Sequence, residues 1–529
     1  MRFARLGVVL LALLGAPRAA DADLLARAIA AGEQAAGGAA QPPSQAQAPP
    51  QQPPPADDLT SWAGASRATA LPELLQYAIA NAPSLASAKI DIAIAEARIY
   101  QTLARDNWQI DAQLTVNSSQ AYIGGVSFDR STTVRLFANL SRALPTGGTV
   151  TLHAGTEFNR SPSFLPSEGT VNNWADEITG TIVQPLLRGR GRLLWDAAQR
   201  KATLSRDAAV LGRRLAAIQA VQVVIAAYWD LVFAERQVAI TRSSLELAKE
   251  RLRITQIGSD GGKVPRSEIP AVQQIIATRE EDVLNGELGV LDRSIALRRA
   301  AGMPVGKGEL GLRLGAELQP GDTAWDLGEV TERAFAASPE LAQLGKQDAV
   351  AKIDIEVTEN GLLPQLDAAL TLGPTGQDEK FGTAWKNVAL FKSIQVGGSL
   401  TFQHSLGQEN VKGLAREQRE QRRKLEVTAT DVRAQIAQAT ARAVAQAELA
   451  RRRVALSQRA IDLATENIKI ETDRFNLGKA TNFDVLNRQE ELRQAELRKA
   501  QAMIDWHKAE AAIQALTGDI LPTYGISVE

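Results

Sequence analysis

Apolar residues return every seven positions along two long stretches of the chain. Leu231, Val238, Leu245 and Leu252 form one series, and Phe233, Ile240, Leu247 and Ile254 form a second beside it. Further on, Val454, Ile461, Ile468 and Phe475 run beside Leu449, Leu456, Leu463, Ile470 and Leu477. Seven-residue spacing is the mark of a coiled-coil seam. Each stretch has two such seams, two positions apart, which is about 200° around a helix. The apolar stripes therefore lie on opposite sides, and each helix expects a neighbour on both flanks, as in the wall of a tube. A helix buried in a bundle would be apolar over a wider arc. The pattern predicts helices over roughly 191–256 and 410–476, each about 100 Å long at 1.5 Å rise per residue. Shorter helices are predicted over 71–106, 267–301 and 327–360, and those at 71–106 and 267–301 end to end match one long helix in length.

Elsewhere the period drops to two. Leu366, Ala368, Leu370 and Leu372 alternate with other residues, as do Ile394, Val396, Gly398, Leu400 and Phe402. Ile110, Ala112, Leu114 and Val116, and later Ile178 to Val183, do the same. Segments of about ten residues with one apolar and one polar face suit strands crossing a bilayer at a tilt. Between the last two lies TTVRLFANLSRALPTGGTVTLHAGTEF, a further hairpin candidate turning at Pro145-Thr146-Gly147-Gly148.

The chain reads as one unit written twice. Residues 71–116 align without gaps with 327–372, so that Leu71, Glu73, Ala78, Pro83, Leu85, Asp111 and Leu114 recur as Leu327, Glu329, Ala334, Pro339, Leu341, Asp367 and Leu370. Two short turns echo each other in the same way. GGKVPRSE and LGKATNFD place Gly262 and Lys263 before Glu268, and Gly478 and Lys479 before Asp484. The glycines answer a need for positive φ where two helices connect. The offset between copies shrinks after the strands, so copy one carries about 40 extra residues there, expected as additional β-structure or an external loop.

Residues 1–22 have Arg2 and Arg5, an apolar core from Leu6 to Leu14, and a small-x-small Ala20-Asp21-Ala22 site. They read as a secretory signal peptide, the apolar run being shorter than the ~20 residues of a spanning helix. Residues 23–66, rich in Pro, Gln and Ala, read as a disordered linker. With no cysteine in the chain, disulfides, thiolate metal sites and a lipidated cysteine are excluded. No later segment reads as an apolar run of spanning length, so a membrane crossing would be made by strands. The formal net charge of −1, from 59 basic and 60 acidic residues, argues against nucleic acid. Catalysis finds little support: His153, His404 and His507 are far apart, and the Gly189/Gly191 pair in RGRG reads as a strand-to-helix junction rather than a phosphate loop. Basic runs at 422–424 and 451–453 read as solvated faces or inter-helix ion pairs.

In this order of elements the chain resembles the TolC-like outer-membrane efflux proteins. The resemblance runs from Leu71 to Gly518 and is carried by RFNLGKATNFDVLNRQEELRQAELRKAQAMIDWHKAEAAIQALTG, by the helix starts ANAPSL and AASPEL, and by TIVQPLLRGRG. It implies a mainly α protein with β-structure: a homotrimer whose long antiparallel coiled-coil helices form an α-barrel across the periplasm and whose strands share one outer-membrane β-barrel. The repeats are expected at 67–316, with β-structure about 108–187, and at 317–520, with β-structure about 364–404, before a tail at 521–529. The implied function is a passive exit duct of a tripartite efflux or type I secretion system, in outer-membrane lipid, working with a periplasmic adaptor and an inner-membrane pump and using no cofactor. A periplasmic adaptor or a structural coiled coil is the alternative. The resemblance also places Asp484 at the periplasmic constriction, with Glu268 in the matching turn. The family's second acidic position is Asn487 here, which halves the expected acidic charge, and its arginine after the Gly is Ala480. Three clustered carboxylates would raise one another's pKa and favour cations. Leu477, Gly478 and Lys479, with Gly262 and Lys263, are the implied adaptor-docking tips.

Overall fold

The computed structural model describes residues 70–120, 122–123, 126–127, 130–162, 170–262, 264–305 and 323–527. The signal peptide and linker expected over 1–66 lie outside the described residues. Helices α1 (Leu71–Asn81) and α2 (Pro83–Leu103) lead into strands β1 (Gln109–Ser119), β2 (Tyr122–Ile123), β3 (Val126–Ser127), β4 (Ser131–Ala143), β5 (Thr149–Pro162) and β6 (Thr170–Pro185). The one-turn α3 (Arg192–Trp195), the 64-residue α4 (Ala197–Asp260) and α5 (Glu268–Ala301) follow. Then come α6 (Leu327–Ala337), α7 (Pro339–Asn360), β7 (Gln365–Asp378), α8 (Phe381–Ala389), β8 (Ser393–Gln403), the 68-residue α9 (Glu409–Asn476), α10 (Asn482–Thr517) and α11 (Ile520–Thr523).

The single helices expected over 71–106 and 327–360 are each broken in two. Pro83 and Pro339 open the second pieces, and the residues before them, Ala82 and Ser338, are extended at ψ 125° and 114°. A proline ring clashes with a helical residue ahead of it and supplies no N–H, so the helix stops and restarts.

The helices lie side by side as a sheet of rods. α2, α4, α7 and α9 are neighbours in that order near the strands, and α5, α4, α10 and α9 towards the turns. α4 and α9 thus run the full length, while α2 with α5, and α7 with α10, each cover half. Where the halves meet, α1 drops into the gap: Leu74, Leu75 and Ala78 bury against Val221, Ile225 and Leu231 of α4, Leu297 of α5 and Ile504 of α10. In the second half α6 does the same, setting Val330 against Ala443, Ala447 and Ile513. Contrary to the expectation that no further apolar run is long enough to span, α4 contains one by length and composition. Its Val221, Val224, Ile225 and Leu231 are fully buried among the other helices. That stretch is the core of the rod layer.

The six-stranded sheet has the order β1-β4-β5-β6-β7-β8, antiparallel throughout. Directly opposed residues share a face, and the register keeps like with like: Leu114 opposite Leu136, Ile182 opposite Leu370, Leu372 opposite Val396. One face is apolar yet exposed, with Ile110, Leu136, Leu152, Ile178, Leu370 and Leu400 all open. The other carries polar side chains, joined across strands by Arg135–Glu157 at 2.6 Å and His153–Glu177 at 3.3 Å. This polar side is concave, because a single hollow is lined by Arg135, His153, Glu177, Gln377 and Gln395 from five successive strands. Apolar outside and polar inside is the pattern of a strand layer between lipid and water. β4 and β5 form a hairpin in the middle of this sheet. Its turn sits at the helical end, where Gly191 N–H donates to the Thr146 carbonyl at 3.0 Å. Gly147 has φ +89°, and a Cβ there would stand 2.1 Å from the Gly189 carbonyl oxygen.

Helix α8, unforeseen in the strand reading, folds back over the apolar face between β7 and β8. It buries Ala384 and Val388, and Phe381 meets the edge of Trp174 at 4.9 Å. Gly376 permits this approach, since a Cβ there would come within 2.2 Å of the Ala384 carbonyl oxygen. Gly376→Val is expected to lift α8, so that trypsin cuts at Lys380 and Lys386 several-fold faster than in the parent while the sheet stays intact.

Candidate functional site

The two helix-helix turns hold most of the residues singled out from the sequence. α9 ends at Asn476, after which Gly478 takes φ +72°. Gly478 N–H donates to the Phe475 carbonyl at 2.9 Å and Lys479 N–H to the Arg474 carbonyl at 2.8 Å, the paired bonds of a Schellman stop. Gly262, at φ +71°, closes the other turn. Both glycines meet the need for positive φ that the sequence suggested. Lys263 lies outside the described residues. Leu477, Gly478 and Lys479 are exposed, Leu477 to 72% and the nearby Phe483 to 63%, so this tip presents bare apolar surface.

Asp484 begins α10 as the third residue of a capping box. Thr481 N–H donates to Asp484 Oδ2 at 2.8 Å, Thr481 Oγ1 donates to the same oxygen at 2.7 Å, and Asp484 N–H donates back to Thr481 Oγ1 at 3.3 Å. The Thr481 backbone bond, then its hydroxyl, and then the charges of Arg474 and Arg488 hold the Asp484 carboxyl below its ordinary value. Within one chain the direction is thus opposite to that expected of clustered carboxylates. The geometry explains it: two donors of Thr481 converge on one carboxylate oxygen, Oδ2, and favour the charged form. Asn487 is exposed beside it.

Glu268 does not stand free in its own turn. Its Oε2 accepts from the backbone N–H of Asn482 at 3.3 Å and from Asn482 Nδ2 at 3.0 Å, tying the first residue of α5 to the first of α10. Asn482 is 1% exposed and its Oδ1 has no partner, while Glu268 is half-buried, so the link is partly shielded from water. Three further side chains join the same helices deeper in, and sequence reasoning passed over them. Arg279 Nη2 donates to Glu490 Oε2 at 2.9 Å, and Arg493 grips both Glu490 oxygens at 2.9 and 2.6 Å. Although burial alone pushes it up, these guanidiniums and Gln494 draw the Glu490 carboxyl down to about 2. On the other helix pair, the Arg251 guanidinium stacks 5.0 Å over Phe475, joining α4 to α9. The signal in the sequence was a charge in an apolar register: Arg279 falls seven residues after the buried Val272, where a seam residue belongs.

Away from the tip, the basic runs resolve into ion pairs. Arg451 and Arg452 meet Glu448 on α9 itself, Arg453 reaches Asp505 of α10 at 2.9 Å, and Arg422 reaches Asp348 of α7 at 2.7 Å. The histidines remain apart: His153 lies on the polar sheet face, His404 beside Gln408, and His507 stacked 4.0 Å on Trp229. Among the described residues no three His, Cys, Asp or Glu side chains gather as for a metal.

A family model described as outer membrane efflux protein matches residues 330–519. No curated protein sequence matches the chain. Among solved structures, the outer membrane channel CmeC of Campylobacter jejuni is similar at 14% identity and a TM-score of 0.61, covering 85% of this chain and 86% of that one. The outer membrane protein VceC of Vibrio cholerae is similar at 15% identity and 0.61, covering 85% and 96%. The outer membrane channel MtrE of Neisseria gonorrhoeae stands at 16% and 0.58, covering 85% and 89%. At these identities the likeness is one of fold.

The Glu490 cluster sets an acid limit on the tip. Its carboxyl is depressed from 4.5 to about 2, so the stability it contributes is complete above about 4.5 and lost as pH falls through about 2. Glu490→Gln is expected to lower the thermal unfolding midpoint of the helices by a few degrees at pH 6. It should also flatten the loss of stability between pH 4.5 and 2, as followed by circular dichroism.

Proposed function

We propose, from the premise that the chain belongs over residues 330–519 to the outer membrane efflux protein family of TolC type, that the whole chain is one subunit of a homotrimeric outer-membrane exit duct. The observation that carries this is a bare seam. One apolar series of α9 faces α10, but the other, Leu449, Leu456, Leu463, Ile470 and Leu477, is about half exposed or more along its whole length. On the opposite flank α5 leaves Leu284 and Leu288 open. The seven-residue stripe on α9 and the apolar pair one turn apart on α5 fit neighbouring helices, and copies joined α9 to α5 close a ring. The sheet supports the same reading, since its apolar outer face suits lipid and its polar hollow suits water.

In this duct the repeats are 67–316 and 317–520, residues 1–22 export the chain, and 23–66 form its linker. The equivalent placing of α1 and α6, each preceding a proline-started helix, supports the repeat. The helices extend into the periplasm, and the turns form the closed end. Glu268, Asp484 and Asn487 line the constriction, and the Glu268–Asn482 link helps hold it shut. Leu477, Gly478, Lys479, Gly262 and Lys263 receive an adaptor's helices, the apolar Leu477 supplying contact area and the lysines charge. An inner-membrane pump supplies energy, and solutes or polypeptides pass.

Purified protein in planar bilayers tests this reading. The parent is expected to give a small, stable conductance, and Glu268→Ala combined with Asn482→Ala a several-fold larger one, because the link between α5 and α10 is gone. Asp484→Ala should weaken the preference for cations. Absence of conductance from all three proteins contradicts the duct.

A further inference from the structure

The β4–β5 hairpin is the one part of the sheet with no counterpart in the second half of the chain. It stands in the middle of the layer rather than at its rim. Its effect can be measured against the rods. Four helices stand abreast at every level, and at ~10 Å between axes they span an arc of about 40 Å. Six strands ~4.8 Å apart and tilted ~40° span about 38 Å. Without the hairpin four strands would span only about 25 Å. The hairpin therefore brings the strand layer to the same breadth as the helical layer that feeds it.

The two rims of the sheet are also suited to each other. β1 runs away from the helices and β8 runs back towards them, so β8 of one copy can meet β1 of the next antiparallel, as every strand pair inside the sheet does. Both rims expose their apolar residues on one face, Ile110 and Leu114 on β1, Val396 and Leu400 on β8. Six strands closing on themselves would leave no room for the polar interior, since eight already fill a barrel with side chains. An open rim in lipid is excluded by its bare N–H and C=O groups.

Resting on the trimeric duct proposed above, we infer that three copies close an eighteen-strand outer-membrane barrel, as wide as the helical tube, in which the β4–β5 hairpin prevents any narrowing within the membrane. Its diameter between backbones is about 36 Å. Side chains on the inner face leave a bore of roughly 25 Å, the scale of the aqueous channel in barrels of this strand number. The strand layer itself then offers bulky solutes or extended polypeptides no narrowing beyond that at the helix tips.

The hairpin can be removed without disturbing the alternation. Ile110 lies level with Leu140, Leu152 and Gly180 through the ladder. After deletion of 131–162, β1 therefore meets β6 with Ile110 opposite Gly180 and apolar residues still on one side. Electron cryomicroscopy of the detergent-extracted full chain is expected to show eighteen strands around one axis. Polyethylene glycols added on the outward-facing side of a planar bilayer should enter the full-length barrel up to a size that the deletion variant excludes, the backbone diameter falling by about one third and the bore by about half. A trimer whose barrel closes with the hairpin outside the strand ring, or an unchanged polymer cut-off in a trimeric deletion variant, overturns this inference and leaves the duct standing. Failure of the full chain to form a trimer in the outer membrane overturns both.

Discussion

Backbone N–H and C=O groups cannot be left bare in hydrocarbon, and that constraint organises the whole molecule. In the proposed duct, a six-stranded sheet with an apolar outer face and a polar hollow satisfies it by giving its first and last strands to further copies. The helical layer carries the same incompleteness in another form. α9 keeps one apolar series against α10 and leaves its second, from Leu449 to Leu477, without a neighbour. Strand rims and helix flanks are thus unfinished on the same two sides of the chain, and the proposed trimer would complete both. The subunit's core sits between these parts, where α1 and α6 fill the places at which half-length helices meet.

At the far end of the rods the proposed duct poses the reverse problem, for there its helices would converge instead of spreading. The contacts that draw them together are polar and few. Glu268 with Asn482 and Arg279 with Glu490 join α5 to α10, while Arg251 on Phe475 joins α4 to α9. Breaking one partner of a buried charged contact leaves the other desolvated, so such links hold firmly while intact and release abruptly when broken. In the proposed duct, an adaptor that offers competing partners would open an end built this way. Asp484 has a double part: it helps start α10 by bonding Thr481, and that bond favours its charged form.

Much of this could be read from residue order because the signals are local. Seven-residue spacing placed the long helices within six residues of α4 and within one of α9. Alternation found β1, β7 and β8 and the hairpin strands, and Gly262 and Gly478 announced their positive φ. What escaped depends on distant partners. α8 is nine residues long and is held by Trp174 and Gly376 of strands that precede it, so its own sequence carries too few turns for a periodic signal. The proline breaks at 83 and 339 were visible as residues but were overridden by the apolar pattern running through them. Glu268 could be singled out as a carboxylate after a turn, but its partner Asn482 is 214 residues away. Arg279 and Glu490 hide for the same reason, as charges inside an apolar register.

The central claim is that the bare helix flank and the bare strand rims are completed by copies of this chain and by nothing else. Native mass spectrometry of the full-length protein, extracted from outer membranes in detergent and sprayed intact, tests it most directly. The account predicts a single species of three chains that survives removal of bound lipid, and a loss of that species when Leu456 and Leu463 are both changed to Asp. A monomer in the parent protein, or three chains that persist unchanged in the double variant, would contradict it.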